Sequence, residues 1–147
     1  MPATWIAGLM VLAGASALPR TPAAGEAVRA VQVFVAFEQR IGPEAREQYL
    51  GDHAGTRVTG AGTVEAVIPR TFYDSSISDR NPAVVLLYVS AGRKVACGLP
   101  AVPDREALSG FLREGKRVSF RGVLADIQDW GRWTTLYLSD CSVHGAR

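Results

Sequence analysis

Aromatic and guanidinium side chains gather in two short segments of this chain. Residues 69–82 (PRTFYDSSISDRNP) hold Arg70, Phe72, Tyr73 and Arg80, and residues 126–133 (DIQDWGRW) hold Trp130, Arg132 and Trp133. Tyr88 and Arg93 lie between the two segments. Aromatic faces stack on bases or sugars, and arginines add charge for phosphate or carboxylate, so this set suits ligand binding. Bond-making chemistry has no comparable set. His53 and His144 each stand apart from other metal-ligating residues at any metal-site spacing. Ser75, Ser76 and Ser78 lack the G-x-S-x-G context of an activated nucleophile. Gly60-Ala61-Gly62 lies inside a strand pattern and reads as curvature, not as a phosphate loop. No catalytic residue, metal ligand or cofactor is expected, and the default expectation is a protein that is not an enzyme.

Composition bounds what the set can serve. The chain has 147 residues, 48% apolar and 20% charged, which leaves room for one domain with a real core. Lys and Arg number 16 against 14 Asp and Glu, a net charge of +2. Both signs are mixed along the chain, which does not favour nucleic acid, though nucleic acid stays within the candidate ligands. Residues 5–18 (WIAGLMVLAGASAL) are uncharged and contain Ala15-Ser16-Ala17, the small-residue pattern that precedes a signal-peptidase cut. Residues 1–17 are therefore expected to be a signal peptide, with an uncleaved N-terminal anchor as the alternative. The first four residues carry no Lys or Arg, a departure from the usual signal. The run is short against the roughly 20 apolar residues of a spanning helix, so no stable span is expected after cleavage. Export places the mature chain in the periplasm or outside the cell.

Elements must position the binding residues. Residues 18–27 are rich in Pro, Ala and Gly and read as a linker. Residues 28–52 read as a helical segment. Val31, Phe34, Val35, Phe37 and Ile41 recur at helical spacing, so a helix is expected over about 28–40. Gly42 ends it, and Pro43 opens a second, shorter helix with Ala45 and Tyr49 on one face. From Arg57 to Ile68 the period changes to two, with Gly60 and Gly62 on the inward face. Glycine there marks a bend or the close approach of another backbone. Further strands are expected over 83–89, 93–97, 118–128 and 133–143. The fourth slips in phase near Gly122-Val123, a sign of a bulge. Asp104 caps a helix carrying Leu108, Phe111 and Leu112, with Gly115 as its stop. Gly131-Arg132 fits a two-residue hairpin turn of type II′, with Trp130 and Trp133 facing each other across the strands.

The stretches GTRVTGAGTVEAV, KVACGL, REGKRVSFRGVL and LYLSDCSV resemble those of exported proteins of the tRNA-anticodon-binding-like OB-fold family. The resemblance covers about residues 57–143, within a barrel domain expected over residues 56–144, and rests on a leading helix, a glycine-bearing first strand, a G-x-x-V-x-F-x-G run and a terminal Asp-Cys. It implies a mostly β domain: a five-stranded OB-fold barrel of order β-β-β-α-β-β, preceded by the helical segment. It does not imply tRNA binding, because OB barrels host many functions. OB domains usually bind ligands on the outer face of their second and third strands, between two flanking loops. In this chain that surface carries Arg70, Phe72, Tyr73, Arg80, Tyr88, Arg93, Trp130, Arg132 and Trp133. The same residues have a plainer use: Phe72 and Tyr73 cover the barrel end, and Arg70 and Arg80 pair with Asp74 and Asp79.

Cys97 and Cys141 are the chain's only cysteines, and two in an exported protein suggest one bridge. In an OB barrel their strands pair in parallel, which brings the two strand ends together. Cys141 is out of phase with Leu136 and Leu138, so either a bulge intervenes near Asp140 or the bridge sits outside the barrel. Two free, buried thiols are the alternative. The functional expectation is a small exported non-catalytic binding module for an oligomeric or acidic ligand or a protein partner. The alternatives are a structural or accessory envelope protein that makes protein contacts through its N-terminal helix, and single-stranded nucleic-acid binding.

Overall fold

The computed structural model describes residues 27–70, 77 and 79–146. The segments read as signal peptide and linker thus lie outside the described residues, save Ala27, and so do Phe72, Tyr73, Asp74, Ser75, Ser76 and Ser78. A short strand β1 (Ala27–Arg29) leads into helices α1 (Ala30–Glu38) and α2 (Pro43–His53). Strands β2 (Arg57–Pro69), β3 (Ala83–Ser90) and β4 (Arg93–Leu99) follow, then helix α3 (Arg105–Ser109) and strands β5 (Arg117–Asp129) and β6 (Thr134–Gly145). The sheet order is β1-β2-β3-β4-β6-β5, and β2 also pairs with β5. That last pairing closes β2 to β6 into the five-stranded OB barrel, with β4 and β6 parallel as the fold requires. Among the described residues no helix is long and apolar enough to cross a membrane.

Closure rests on β2 serving two neighbours. Residues 57–63 pair with β5 and residues 63–69 with β3, so the strand must coil at its middle. Gly60 and Gly62 sit at the coil. A Cβ on Gly60 would lie 2.7 Å from the Phe120 ring, and one on Gly62 would lie 2.8 Å from the Tyr88 carbonyl oxygen. Glycine is needed there because neighbours occupy the space.

The interior core gathers Val58, Val64, Val85, Leu87, Val95, Leu124 and Leu136, with Phe34 and Phe37 of α1 packed into it. The helix is shorter than its apolar spacing suggests. Val28 is drawn out of it, because β1 runs parallel to β2 with Val28 opposite Val58. The helix near Arg105 is also shorter than expected. Asp104 Oδ1 does accept the Ala107 N–H at 2.8 Å, but the helix stops at Ser109. Leu112 is buried beyond it, while Leu108 and Phe111 stay exposed. Gly115 instead takes a left-handed φ of 88° in the turn into β5.

Cys97 and Cys141 form a disulfide, with their Cα atoms 5.7 Å apart. The phase problem at Cys141 is resolved by a bulge. Between the pairs Arg121–Ser142 and Val123–Ser139, β6 advances three residues while β5 advances two. Asp140 absorbs the extra residue with a left-handed φ of 52°, which returns the Cys141 side chain to the core. Aspartate tolerates that region better than most residues. Gly122 faces the bulge, and a Cβ on it would lie 2.6 Å from the Cys141 sulfur. The phase slip near Gly122 is thus the imprint of the disulfide.

Candidate functional site

The outer face of β3, β4 and β6 carries two adjacent cross-strand rows. Leu86, Ala96 and Tyr137 form one, and Tyr88, Lys94 and Thr135 form the next. The two rows have different fates. The first is roofed. Ile77, from the segment between β2 and β3, packs on Val84, Ala96 and Tyr137 and makes a small second core outside the barrel. Asn81 fastens the roof to β6 and is fully buried. Its Nδ2 donates to Asp140 Oδ1 at 3.1 Å, and its Oδ1 accepts the Asp140 N–H at 2.8 Å. Both bonds reach the bulged residue, so the loop and the bulge hold each other in place.

The second row stays open and is aromatic. Trp133 meets Tyr88 edge to face, with ring centroids 6.3 Å apart. Lys94 Nζ lies 4.0 Å from the centroid of the Trp133 ring. Trp130 is 61% exposed, and its indole N–H donates to the Tyr137 hydroxyl at 3.2 Å. The two tryptophans therefore engage different partners. Their turn is built by Gly131, whose φ is 88°, and by the Trp130 N–H bond to the Trp133 carbonyl at 2.7 Å. Asp129 Oδ1 accepts the Gly131 N–H at 2.8 Å, and that bond first, then the Arg46 guanidinium, holds the Asp129 carboxyl below its ordinary value.

The arginines expected beside these rings are engaged with carboxylates. Arg70 bonds Asp79 at 2.6 Å and the Ile77 carbonyl at 3.3 Å. Arg80 meets Asp140 at 3.1 Å. Arg93 donates to both oxygens of Glu38 on α1, at 2.6 and 3.0 Å, and the Glu38 bond raises its already high pKa. Lys94 pairs with Glu65 at 3.1 Å. Exposed pairs of this kind contribute about 0–1 kcal/mol each, yet each carboxylate cancels the field of its neighbour. Arg132, exposed at the turn, has no acidic partner among the described residues. Of the candidates, Tyr88, Trp133 and Trp130 lie on one face, Arg70, Arg80 and Arg93 are turned to acids, and Phe72 and Tyr73 lie outside the described residues.

Lys94, Glu65 and Tyr137 belong to this face and were not singled out in the sequence. Their strand parity was readable, but the side of the barrel that each strand faces is set by pairing. Among the described residues no group of three His, Cys, Asp or Glu could hold a metal. His53 stacks on Tyr49 with centroids 4.1 Å apart, and its Nδ1 lies 2.8 Å from the Tyr49 carbonyl oxygen. Burial raises the Tyr49 pKa, against a smaller lowering by Arg40. His144 Nε2 lies 2.8 Å from Ser142 Oγ on the exposed side of β6, and no carboxylate among the described residues orients that imidazole.

Among known proteins, no family model and no curated sequence matches the chain. Several solved structures are similar in outline, among them an asparaginyl-tRNA synthetase and an OBody. The asparaginyl-tRNA synthetase of Entamoeba histolytica, in complex with asparaginyl-adenylate, aligns at 13% identity with a TM-score of 0.38. That alignment covers 63% of this chain and only 21% of the synthetase. An OBody bound to hen egg-white lysozyme aligns at 16% identity with a TM-score of 0.35, over 65% of this chain and 88% of its own. Similarity at this level carries neither ligand nor activity to this chain.

Proposed function

We propose that this chain is an exported, non-catalytic OB-fold binding module that holds an uncharged, ring-bearing oligomer against Tyr88, Trp133 and Trp130. One observation carries the reading: the exposed rings of Tyr88 and Trp130 and the half-buried ring of Trp133 stand at the usual OB ligand position while the cations Arg70, Arg80, Arg93 and Lys94 are each paired with an acid. Rings beside which only Arg132 keeps an uncompensated charge among the described residues favour stacking on sugars or apolar groups over tracking of phosphates. The N-terminal apolar run supports export, and the disulfide is compatible with it, since such bonds persist in oxidising compartments. The narrower resemblance to the tRNA-anticodon-binding-like family fits residues with structural roles, among them Gly60, Gly62, Gly122 and Cys141.

Tryptophan emission titrated with chito-oligosaccharides tests the face. A saturable change that disappears in Trp133→Ala is expected. Emission that moves with oligothymidylate alone would replace the sugar reading by nucleic acid, and emission that never moves would remove the face as a site. N-terminal sequencing of protein recovered from outside the cytoplasm is expected to begin at residue 18.

A second reading, protein contact through α1, rests on Val31 and Val35, which are 44% and 38% exposed one helical turn apart. Val31→Glu with Val35→Glu would then release a bound envelope protein. Retention of that protein counts against the contact.

A further inference from the structure

A second face of the barrel carries three cations, Arg29, Arg117 and Arg121, without acidic partners among the described residues. The outward residues of β1, β2, β5 and β6 align as Arg29, Thr59, Arg121 and Ser142 in one row. Ala61, Ser119 and His144 make the next row, and Arg117 lies beyond them opposite Thr63. These rows border a groove of about 790 Å³ that also takes in Ala30 and Val31 at the start of α1 and, at its edge, Arg93, whose charge Glu38 already meets. No Asp or Glu lines it among the described residues. Arg29, Arg117 and Arg121 are exposed and have no acidic partner among the described residues. The first turn of α1 also lacks an acidic side chain, so its positive end reinforces the same field. Asp140 lies near Arg121 at the rim, where Arg80 and Asn81 already engage it.

We propose that this groove binds the phosphates of an extended polyanion by charge and spacing, without reading bases. The site meets the aromatic face at its edge, at Arg93, and its three arginines without acidic partners among the described residues lie on other strands than the rings. Spacing sets the kind of ligand. Arg117 and Arg121 stand four residues apart on one strand, roughly 13 Å along the backbone, and Arg29 lies two strands from Arg121, roughly 10 Å away. One phosphate cannot reach all three, whereas a chain of phosphates can. Hydroxyls of Thr59 and Ser119 stand between the arginines, where they donate to phosphate oxygens, and Ser142 lies beyond Arg121 with its Oγ against His144 Nε2. No Phe, Tyr or Trp ring is exposed among the lining residues, since Phe120 is 3% exposed; the one exposed ring is the small imidazole of His144, already engaged by Ser142 Oγ at 2.8 Å, so bases find little stacking surface. A membrane surface fits less well, because the lining is concave and hydroxyl-rich where an interfacial site presents large apolar side chains.

Fluorescence anisotropy of the whole chain with labelled inorganic polyphosphate and labelled oligothymidylate at low salt tests the groove. Both probes should bind, compete with each other, and weaken with salt at a log–log slope of about −2 to −3, as three or four phosphate contacts imply. Oligoadenylate should match oligothymidylate. Arg121→Ala should weaken every probe roughly tenfold and lower the slope by about 1. Ser119→Glu, which sets a negative charge among the arginines, should do the same, and melting curves establish that both variants fold. Trp133→Ala should leave binding unchanged. The proposal is overturned if no probe binds at low salt, if binding survives Arg121→Ala and Ser119→Glu in folded protein, or if only phosphatidylglycerol vesicles bind.

Discussion

Asn81 shows how much one side chain can settle. It is fully buried, and its amide donates to the Asp140 carboxylate and accepts from the Asp140 backbone N–H. The first bond requires the nitrogen and the second the oxygen, so the network admits one orientation of the amide. Asn81→Ala removes both partners of a residue held in a left-handed conformation, beside the disulfide. A loss of about 1–3 kcal/mol is expected, read as a lower midpoint in urea. If the midpoint holds, the roof over Val84 and Tyr137 is not anchored there. Asn81 was not legible as important, since in the sequence it is one polar residue in a polar loop. Trp130 and Trp133, by contrast, were legible as aromatics of the hairpin turn, although only Trp130 is exposed. Their separate partners, Tyr137 and Tyr88, come from other strands.

Among the elements, two long-range ties hold the barrel and its helices in place. The disulfide joins β4 to β6 over 44 residues. Loop-closure entropy for that length stabilises the fold by about 4 kcal/mol. Denaturant titration of oxidised protein and of the Cys97→Ser, Cys141→Ser variant should differ by about that amount, and equal midpoints would show that barrel packing alone suffices. The second tie runs from α2 to the end of β5, where Arg46 bonds Asp129 at 2.6 Å and lies over the Phe37 ring. The folded state holds the Asp129 carboxyl below its ordinary 3.8. Its contribution is therefore complete above the unfolded value and is lost as pH falls through the lower, folded one. Stability of the wild type should fall below about pH 4 more steeply than that of Asp129→Asn. Parallel acid limbs for the two proteins would remove this role.

For the whole molecule, the decisive feature is which residues share a side of the closed barrel. Phe34 and Val35 are neighbours on α1, yet Phe34 is fully buried and Val35 is 38% exposed. Phe34→Asp places a charge in the core and should abolish the cooperative thermal transition, whereas Val35→Glu should shift stability by only about 0.5 kcal/mol. A folded Phe34→Asp would mean that α1 docks on the barrel without plugging it. The same logic separates the two candidate faces. Closure turns the rings of β3, β4 and the β5–β6 turn to one side, and Arg29, Arg117 and Arg121 to another. A net charge of +2 conceals this division, because Arg70, Arg80, Arg93 and Lys94 are each paired with an acid whereas Arg29, Arg117 and Arg121 are not among the described residues.

The sequence by itself determined the elements and the barrel. Period-two alternation, the glycines of β2 and the cap at Asp104 are local signals, and local sterics and hydrogen bonding read them out directly. The short β1 escaped, since three residues show no period and form a strand only because β2 offers a free edge. The tertiary structure alone decided the sites. Strand parity says that Arg117, Ser119 and Arg121 point the same way. Only register across β1, β2, β5 and β6 places Arg29, Ser142 and His144 beside them, and only side-chain pairing shows which cations keep an uncompensated field. Register and pairing join residues separated by up to about a hundred positions, and no local preference encodes them.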